Sequence, residues 1–141
     1  MATTRTANAH WQGSLLEGTG QVSLDSSGVG TYDVSWPARA EQPNGMTSPE
    51  ELIAAAHSAC FSMFLSSLLS KAGHQVETID TRADVTFQPG EGITGSHLTT
   101  RASVPGLSAE EFATFAEDAK KGCPVSSALT GTTITLDASL A

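Results

Sequence analysis

The chain has 141 residues, of which seven are basic and fifteen acidic, for a formal net charge of −8. Its length suits a single domain, 1–141, with enough chain to bury a core. The scattered basic residues argue against nucleic acid and anionic membranes as partners, and the opening MATTRTANAHWQG lacks the apolar stretch of a secretory signal, which makes the cytoplasm the expected compartment.

Residues 8 to 35 read as short antiparallel strands, cut by turn residues at Glu17-Gly18-Thr19-Gly20 and Asp25-Ser26-Ser27-Gly28. Gln21 to Leu24 and Thr31 to Val34 alternate as half-buried strands do. Trp36-Pro37 break that pattern and open a loop, Ala38 to Thr47, whose one basic residue is Arg39.

Ser48 to Gly73 then reads as one long helix with both ends marked. Ser48 is an N-cap, Pro49 fits the first helical position, and Glu51 completes a capping box. Lys71 meets the negative end of the dipole, and Gly73 suits the left-handed residue that stops a helix. From Leu52 to Ser70 no face carries a formal charge, which predicts a helix buried all round. A membrane span is the rival reading by length, weakened by His57, by the serines from Ser58 to Ser70 and by the lack of flanking basic clusters. About 24 residues of helix extend roughly 36 Å, more than this chain easily wraps alone. A homodimer interface fits better, since Ala54, Ala55, Ala56, Ser58 and Ala59 let a second helix approach closely.

Beyond Gly73 the period changes to two. Ile79, Thr81, Ala83, Val85 and Phe87 share one face, Pro89-Gly90-Glu91-Gly92 turn the chain, and Leu98, Thr100, Ala102 and Val104 line the return strand. Ser108 and Glu111 form a second capping box before an apolar stripe of Phe112, Phe115, Ala116 and Ala119. GCPVSSAL follows as a short helical turn, with Cys123 beside its N-terminus, where exposed N–H groups favour a thiolate. Thr132 to Leu140 closes as a strand. The predicted order, β-β-β-α-β-β-α-α-β, is an α+β fold with antiparallel sheets packed on a long buried central helix.

Two cysteines, Cys60 inside the long helix and Cys123, are either inert buried thiols or a redox pair. Mid-helix, Cys60 gains little from the dipole, so activation needs a neighbouring charge. His57 lies on nearly the same face; it is either that neighbour or a neutral core histidine bonded to a carbonyl. Arg39 and Glu50 can meet across a short loop, giving a fixed cation able to stabilise a thiolate; equally, they are a solvated loop residue and an acid favourable at a helix start. His10, His57, His74 and His97 form no ligand spacing with the cysteines, so no metal is expected. Gly18-Thr19-Gly20 precedes a strand rather than a helix and is no phosphate loop.

The run PEELIAAAHSACFSMFLS, the later GCPVSSAL and the opening around Trp11 closely resemble the osmotically inducible protein C (OsmC) family of thiol peroxidases, over essentially the whole chain. The resemblance implies an intertwined α+β homodimer that reduces organic hydroperoxides, and hydrogen peroxide less well, to alcohols. It matches Cys60 to the peroxidatic cysteine, Cys123 to the resolving cysteine of an intrasubunit disulfide, and Arg39 and Glu50 to the family's arginine and glutamate. It implies no bound cofactor, only an external dithiol reductant such as a lipoyl group or other thiol. The sister branch, the organic hydroperoxide resistance proteins, has tyrosine where this chain has His57 and takes its arginine from nearer the N-terminus. Departures from the family pattern are Ser48 for the usual asparagine and Ala40 where an aromatic often follows the arginine. A rival of another class is a non-enzymatic, stress-induced lipid- or ligand-binding dimer with incidental thiols; a disulfide oxidoreductase is disfavoured by the lack of a C-x-x-C motif.

Helix geometry adds an expectation of its own. From residue 50 to residue 60 a straight helix rises about 15 Å, so Glu50 and Arg39 cannot easily serve the Cys60 of their own chain. Two antiparallel copies crossing near Ala55 remove the difficulty. The expected dimer therefore has two shared sites, each pairing Cys60 and Cys123 of one chain with Arg39 and Glu50 of the other.

Overall fold

The computed structural model describes residues 1–141. In chain order the elements are β1 (Asn8–Gln12), β2 (Thr19–Ser23), β3 (Thr31–Val34), α1 (Trp36–Ala40), α2 (Pro49–Lys71), β4 (Thr78–Gln88), β5 (Gly92–Ser103), α3 (Ala109–Gly122), α4 (Pro124–Ala128) and β6 (Thr133–Leu140). They form two compact units, Met1–Leu52 and Ile53–Ala141.

In the first unit β1, β2 and β3 make an antiparallel sheet in sequential order. Trp11 lies opposite Gly20 in the register. A Cβ at Gly20 would stand 2.6 Å from Trp11 Cε3, so the indole occupies the space a side chain would need. The segment after β3 corrects the expected loop. Ser35 Oγ accepts from the Ala38 N–H at 3.1 Å, and Pro37 sits within the first two helical positions of α1. Serine at the cap and proline just inside it are helix-start signals, and they put Arg39 in the last turn of a short helix rather than in a loop.

Helix α2 begins as the caps predict. Ser48 Oγ accepts from the Glu51 N–H at 3.1 Å. The box is not reciprocal, because the Glu51 carboxylate accepts instead from the Thr47 hydroxyl at 2.6 Å. At the far end Gly73 adopts φ 88°, and the His74 N–H reaches back to the Leu69 carbonyl at 3.0 Å.

The second unit holds the core. His57, Phe61, Leu65 and Leu69, spaced by four along α2, are all fully buried. Phe61, Leu65 and Leu69 pack with Leu98 and Ala102 of β5 and with Phe112, Ala116 and Ala119 of α3. Each large apolar side chain so buried contributes roughly 1.5–3 kcal/mol. The expectation of a helix buried on every side is not met within one chain: Ala55, Ala56 and Ala59 are exposed, and Met63 is 73% exposed. Sequence hydropathy reports that a helix face needs cover but not which molecule provides it, and α2 is also long and apolar enough to cross a bilayer.

Strands β4 and β5 form the predicted long hairpin, with Ile79, Thr81, Ala83, Val85 and Phe87 turned inward and their neighbours exposed. Strand β6 departs from the expected antiparallel pattern. It pairs with β5 in parallel, from Gly95–Thr133 to Ala102–Leu140, so the second sheet is mixed. A parallel return requires a crossover, and α3 and α4 supply it. The α+β class stands, with two small sheets and helices.

Candidate active site

Of the four candidate residues, one pair meets in each unit. In the first unit Arg39 Nε donates to Glu50 Oε1 at 2.8 Å and to Oε2 at 3.2 Å. The Glu50 side chain is 8% exposed and that of Arg39 29%. The Glu50 carboxylate lies in the first turn of α2, where the N-terminal dipole favours negative charge, and its burial is compensated by this charge-assisted bond. The result is a guanidinium whose Nε–H is held in a fixed direction. The spacing of the two residues permitted this pairing; α1 and the cap of α2 bring it about.

In the second unit the cysteines meet. Cys123 Sγ donates to Cys60 Sγ at 3.0 Å, and neither is in a disulfide. Cys123 is fully buried and Cys60 partly so. Cys60 lies on the fourth turn of α2, one helical step from Phe61 in the core, while Cys123 is the shared residue between α3 and α4. Gly122 explains how those helices come so close to α2. A Cβ there would fall 2.7 Å from Cε1 and 2.8 Å from Cζ of Phe64, so glycine lets the end of α3 lie against that ring without displacing it.

Burial raises the Cys60 pKa above the usual thiol range, and the adjoining Cys123 thiol adds to the rise. A hydrogen bond from the Val125 backbone N–H acts the other way. That bond revises the expected role of the α4 N-terminus. Cys123 makes no side-chain capping bond. Pro124 has no N–H to give, so the first N–H of α4 is that of Val125, which acts to lower the Cys60 pKa. Within this unit, then, one N–H favours the Cys60 thiolate against the larger effect of burial.

His57 is the buried core histidine of one of the two readings, with partners other than a carbonyl. It is not a charged neighbour of Cys60, because burial holds its pKa below the ordinary imidazole value. Nor does it bond to a carbonyl. Nδ1 meets Ser96 Oγ at 2.7 Å and Nε2 meets Ser126 Oγ at 2.8 Å, and all three residues are buried. Ser96 and Ser126 were not legible as site residues. Each is far from His57 in the chain, and serine alone carries no signal of a buried partner. The large apolar side chains that follow Cys60 separate: Phe61 is core, Met63 faces outward and Phe64 packs on Gly122.

Comparison with known proteins places the chain in a family. Residues 42–137 match the family model described as OsmC-like protein. The chain is 44% identical over 132 residues to peroxiredoxin OsmC of Escherichia coli K12, covering 92% of this chain and 91% of that protein. It is 32% identical over 112 residues to organic hydroperoxide resistance protein OhrA of Bacillus subtilis, covering 77% and 79% respectively. The crystal structure of an organic hydroperoxide resistance protein OsmC from Legionella pneumophila superposes with a TM-score of 0.70 at 24% identity, over 100% of this chain and 98% of that one, which speaks to the fold. The chain belongs to the OsmC-like family.

Proposed function

We propose that this protein is a cysteine-based peroxidase that reduces organic hydroperoxides to alcohols, with hydrogen peroxide a poorer substrate. The observation that carries this reading is the 3.0 Å approach of Cys60 and Cys123 within one chain. Two thiols at that distance can exchange two electrons with a substrate and close to a disulfide without any bound cofactor. The Cys60 thiolate attacks the distal oxygen of the hydroperoxide and breaks the O–O bond. The alkoxide leaves as alcohol after taking a proton, and Cys60 is left as a sulfenic acid. The Cys123 thiol then attacks the Cys60 sulfur, and water departs as the S–S bond forms. An external dithiol, a lipoyl group or other thiol, returns both cysteines to thiols and is itself oxidised to a disulfide.

The remaining requirement is a cation for Cys60, whose own surroundings raise its pKa. Arg39, aimed by Glu50, is the group we assign, acting on the thiolate and on charge developing at the leaving oxygen. The rise of about 15 Å between residues 50 and 60 of a helix favours a homodimer, with Arg39 and Glu50 serving the cysteines of the partner subunit. Support for the dimer is the exposed Ala55, Ala56, Ala59 and Met63 face of α2, apolar and narrow enough for a second helix. The cytoplasm, where dithiol reductants keep cysteines reduced, is the compartment in which this cycle runs. The names of the relatives, peroxiredoxin and organic hydroperoxide resistance protein, support the reaction class.

Consumption of cumene hydroperoxide with a dithiol, comparing the parent with Cys60→Ser, tests the proposal. Turnover by the parent and none by the variant is expected. A parent that binds lipid but consumes no hydroperoxide would make the protein a ligand-binding dimer instead.

A further inference from the structure

We infer that His57 is a positioning residue, clamping α4 to α2 through Ser126 and so holding Cys123 within reach of Cys60. The inference rests on the redox-pair reading given above. Helix α4 has five residues, too few to be stable by its own backbone bonds. The thiol contact of its N-cap residue, Cys123, ties it to Cys60. Beyond this, Ser126 to His57 is its side-chain hydrogen bond to another element. The other ring nitrogen bonds Ser96, in the middle strand of the second sheet. The imidazole therefore spans from a sheet interior to the turn that carries the second cysteine.

The chemistry of the three groups makes this a rigid link. Neutral imidazole has one donor and one acceptor nitrogen, and each serine hydroxyl can play either part. Both tautomers are thus satisfied by rotating the hydroxyls. His57, Ser96 and Ser126 are 0%, 2% and 3% exposed, so the three groups satisfy one another away from bulk solvent. If packing were the only demand, an apolar side chain would fill the site without desolvating three polar residues. A fully satisfied buried network instead fixes one arrangement of the elements it joins.

That arrangement matters for disulfide closure. In a disulfide the sulfurs are about 2.05 Å apart, so the 3.0 Å pair must close by about another ångström. Cys60 sits inside a 23-residue helix and has little freedom; the closing movement belongs to Cys123 and its turn. The clamp keeps α4 within that short distance. As Cys123 attacks, the S–O bond of the Cys60 sulfenic acid breaks, the S–S bond forms, and the thiol proton leaves with the hydroxide as water.

The test compares Ser126→Ala, Ser126→Thr, Ser96→Ala and His57→Gln with the parent. The first readout is the thiol–disulfide equilibrium of Cys60 and Cys123 with oxidised dithiothreitol, which requires no peroxide chemistry. The second is the rate at which the Cys60 sulfenic acid disappears after one equivalent of cumene hydroperoxide. Loosening a constraint on this scale is expected to shift the equilibrium toward the dithiol, and to slow resolution, by about tenfold in Ser126→Ala. Ser126→Thr, which keeps the hydroxyl, should recover most of the loss, and Ser96→Ala should change the exchange equilibrium much less, because its bond does not reach α4. His57→Gln, with an amide donor and acceptor, provides a second route to the same loss. An unchanged equilibrium in both Ser126→Ala and His57→Gln overturns the clamp, as does an equal shift in Ser96→Ala and Ser126→Ala, which is what a purely structural histidine gives. If the parent consumes no hydroperoxide while its dithiothreitol equilibrium still responds to Ser126→Ala, the peroxidase reading fails and the clamp stands.

Discussion

Substituting Gly122 by alanine should both destabilise the protein and slow disulfide closure. The backbone at Gly122 is not in the left-handed region, so a methyl group is accepted by the chain itself, and the conflict is with Phe64. Carbon atoms in contact prefer about 3.5–4.0 Å, whereas the new Cβ would lie 2.7 Å from Cε1 and 2.8 Å from Cζ. Something must move by roughly 1 Å, and overpacking of that size costs about 1–3 kcal/mol. The lower unfolded-chain entropy of alanine offsets about 0.4–1 kcal/mol of that. A net loss of about 1–2 kcal/mol corresponds to a fall in Tm of several degrees, on the order of 2–10 °C. Cys123 is the next residue, so the displacement is passed to the thiol pair, and an error of about 1 Å in reacting geometry can slow a reaction by up to ~100-fold. Thermal unfolding of the reduced protein, and mass spectrometry of disulfide formation after one equivalent of hydroperoxide, measure the two effects. A variant with the parent's Tm and the parent's rate of closure would mean that the ring swings aside at no cost, and that Gly122 does not set the approach of α3 to α2.

Cys123→Ser should still release one equivalent of alcohol, but its Cys60 sulfenic acid should persist and pass to sulfinic acid under excess peroxide; the masses of the oxidised species check this. Arg39→Ala should raise the Cys60 pKa further and slow attack at neutral pH, with Lys restoring only part because it lacks the planar fork. Thiolate absorbance against pH measures that shift, and the loss of the Glu50 partner should cost about 1–2 kcal/mol in unfolding. Co-refolded Cys60→Ser and Arg39→Ala subunits should regain part of the activity if sites are shared, since each heterodimer keeps one site with both residues; heterodimers that stay inactive refute the shared site. His57 contributes a pH dependence of stability. Its folded pKa lies below the ordinary 6.5, so between the two values the unfolded chain binds a proton that the folded one refuses. Stability should be fully present above about pH 6.5, fall as the pH drops toward the folded pKa, and fall less in His57→Gln, as denaturant titrations at several pH values would record.

Most of the local architecture was legible because it is written in short-range chemistry. Ser48, Pro49 and Gly73 bound α2, Ser108 and Glu111 form the reciprocal box that opens α3, and the period of two from Ile79 to Phe87 marks an inward face. Ser35 and Pro37, a capping serine and a proline in the first turn, carry the same kind of local signal for α1. The pairing of Glu51 with Thr47 instead of the Ser48 N–H shows the limit of such rules, since one carboxylate has two partners in reach and geometry chooses between them.

By itself, then, the sequence determined the element types, the inward face of the hairpin, an apolar α2 that must be covered, and four candidate residues with their family resemblance. These follow from periodicity, caps and residue chemistry, all of which act over a few positions. Only the tertiary structure decided that β6 returns parallel to β5 and that His57 joins Ser96 to Ser126. It also decided that Cys60 and Cys123, either inert or paired on sequence grounds, stand 3.0 Å apart. Each of these joins residues distant in the chain, and their meeting depends on how helices and strands pack, which no local pattern encodes.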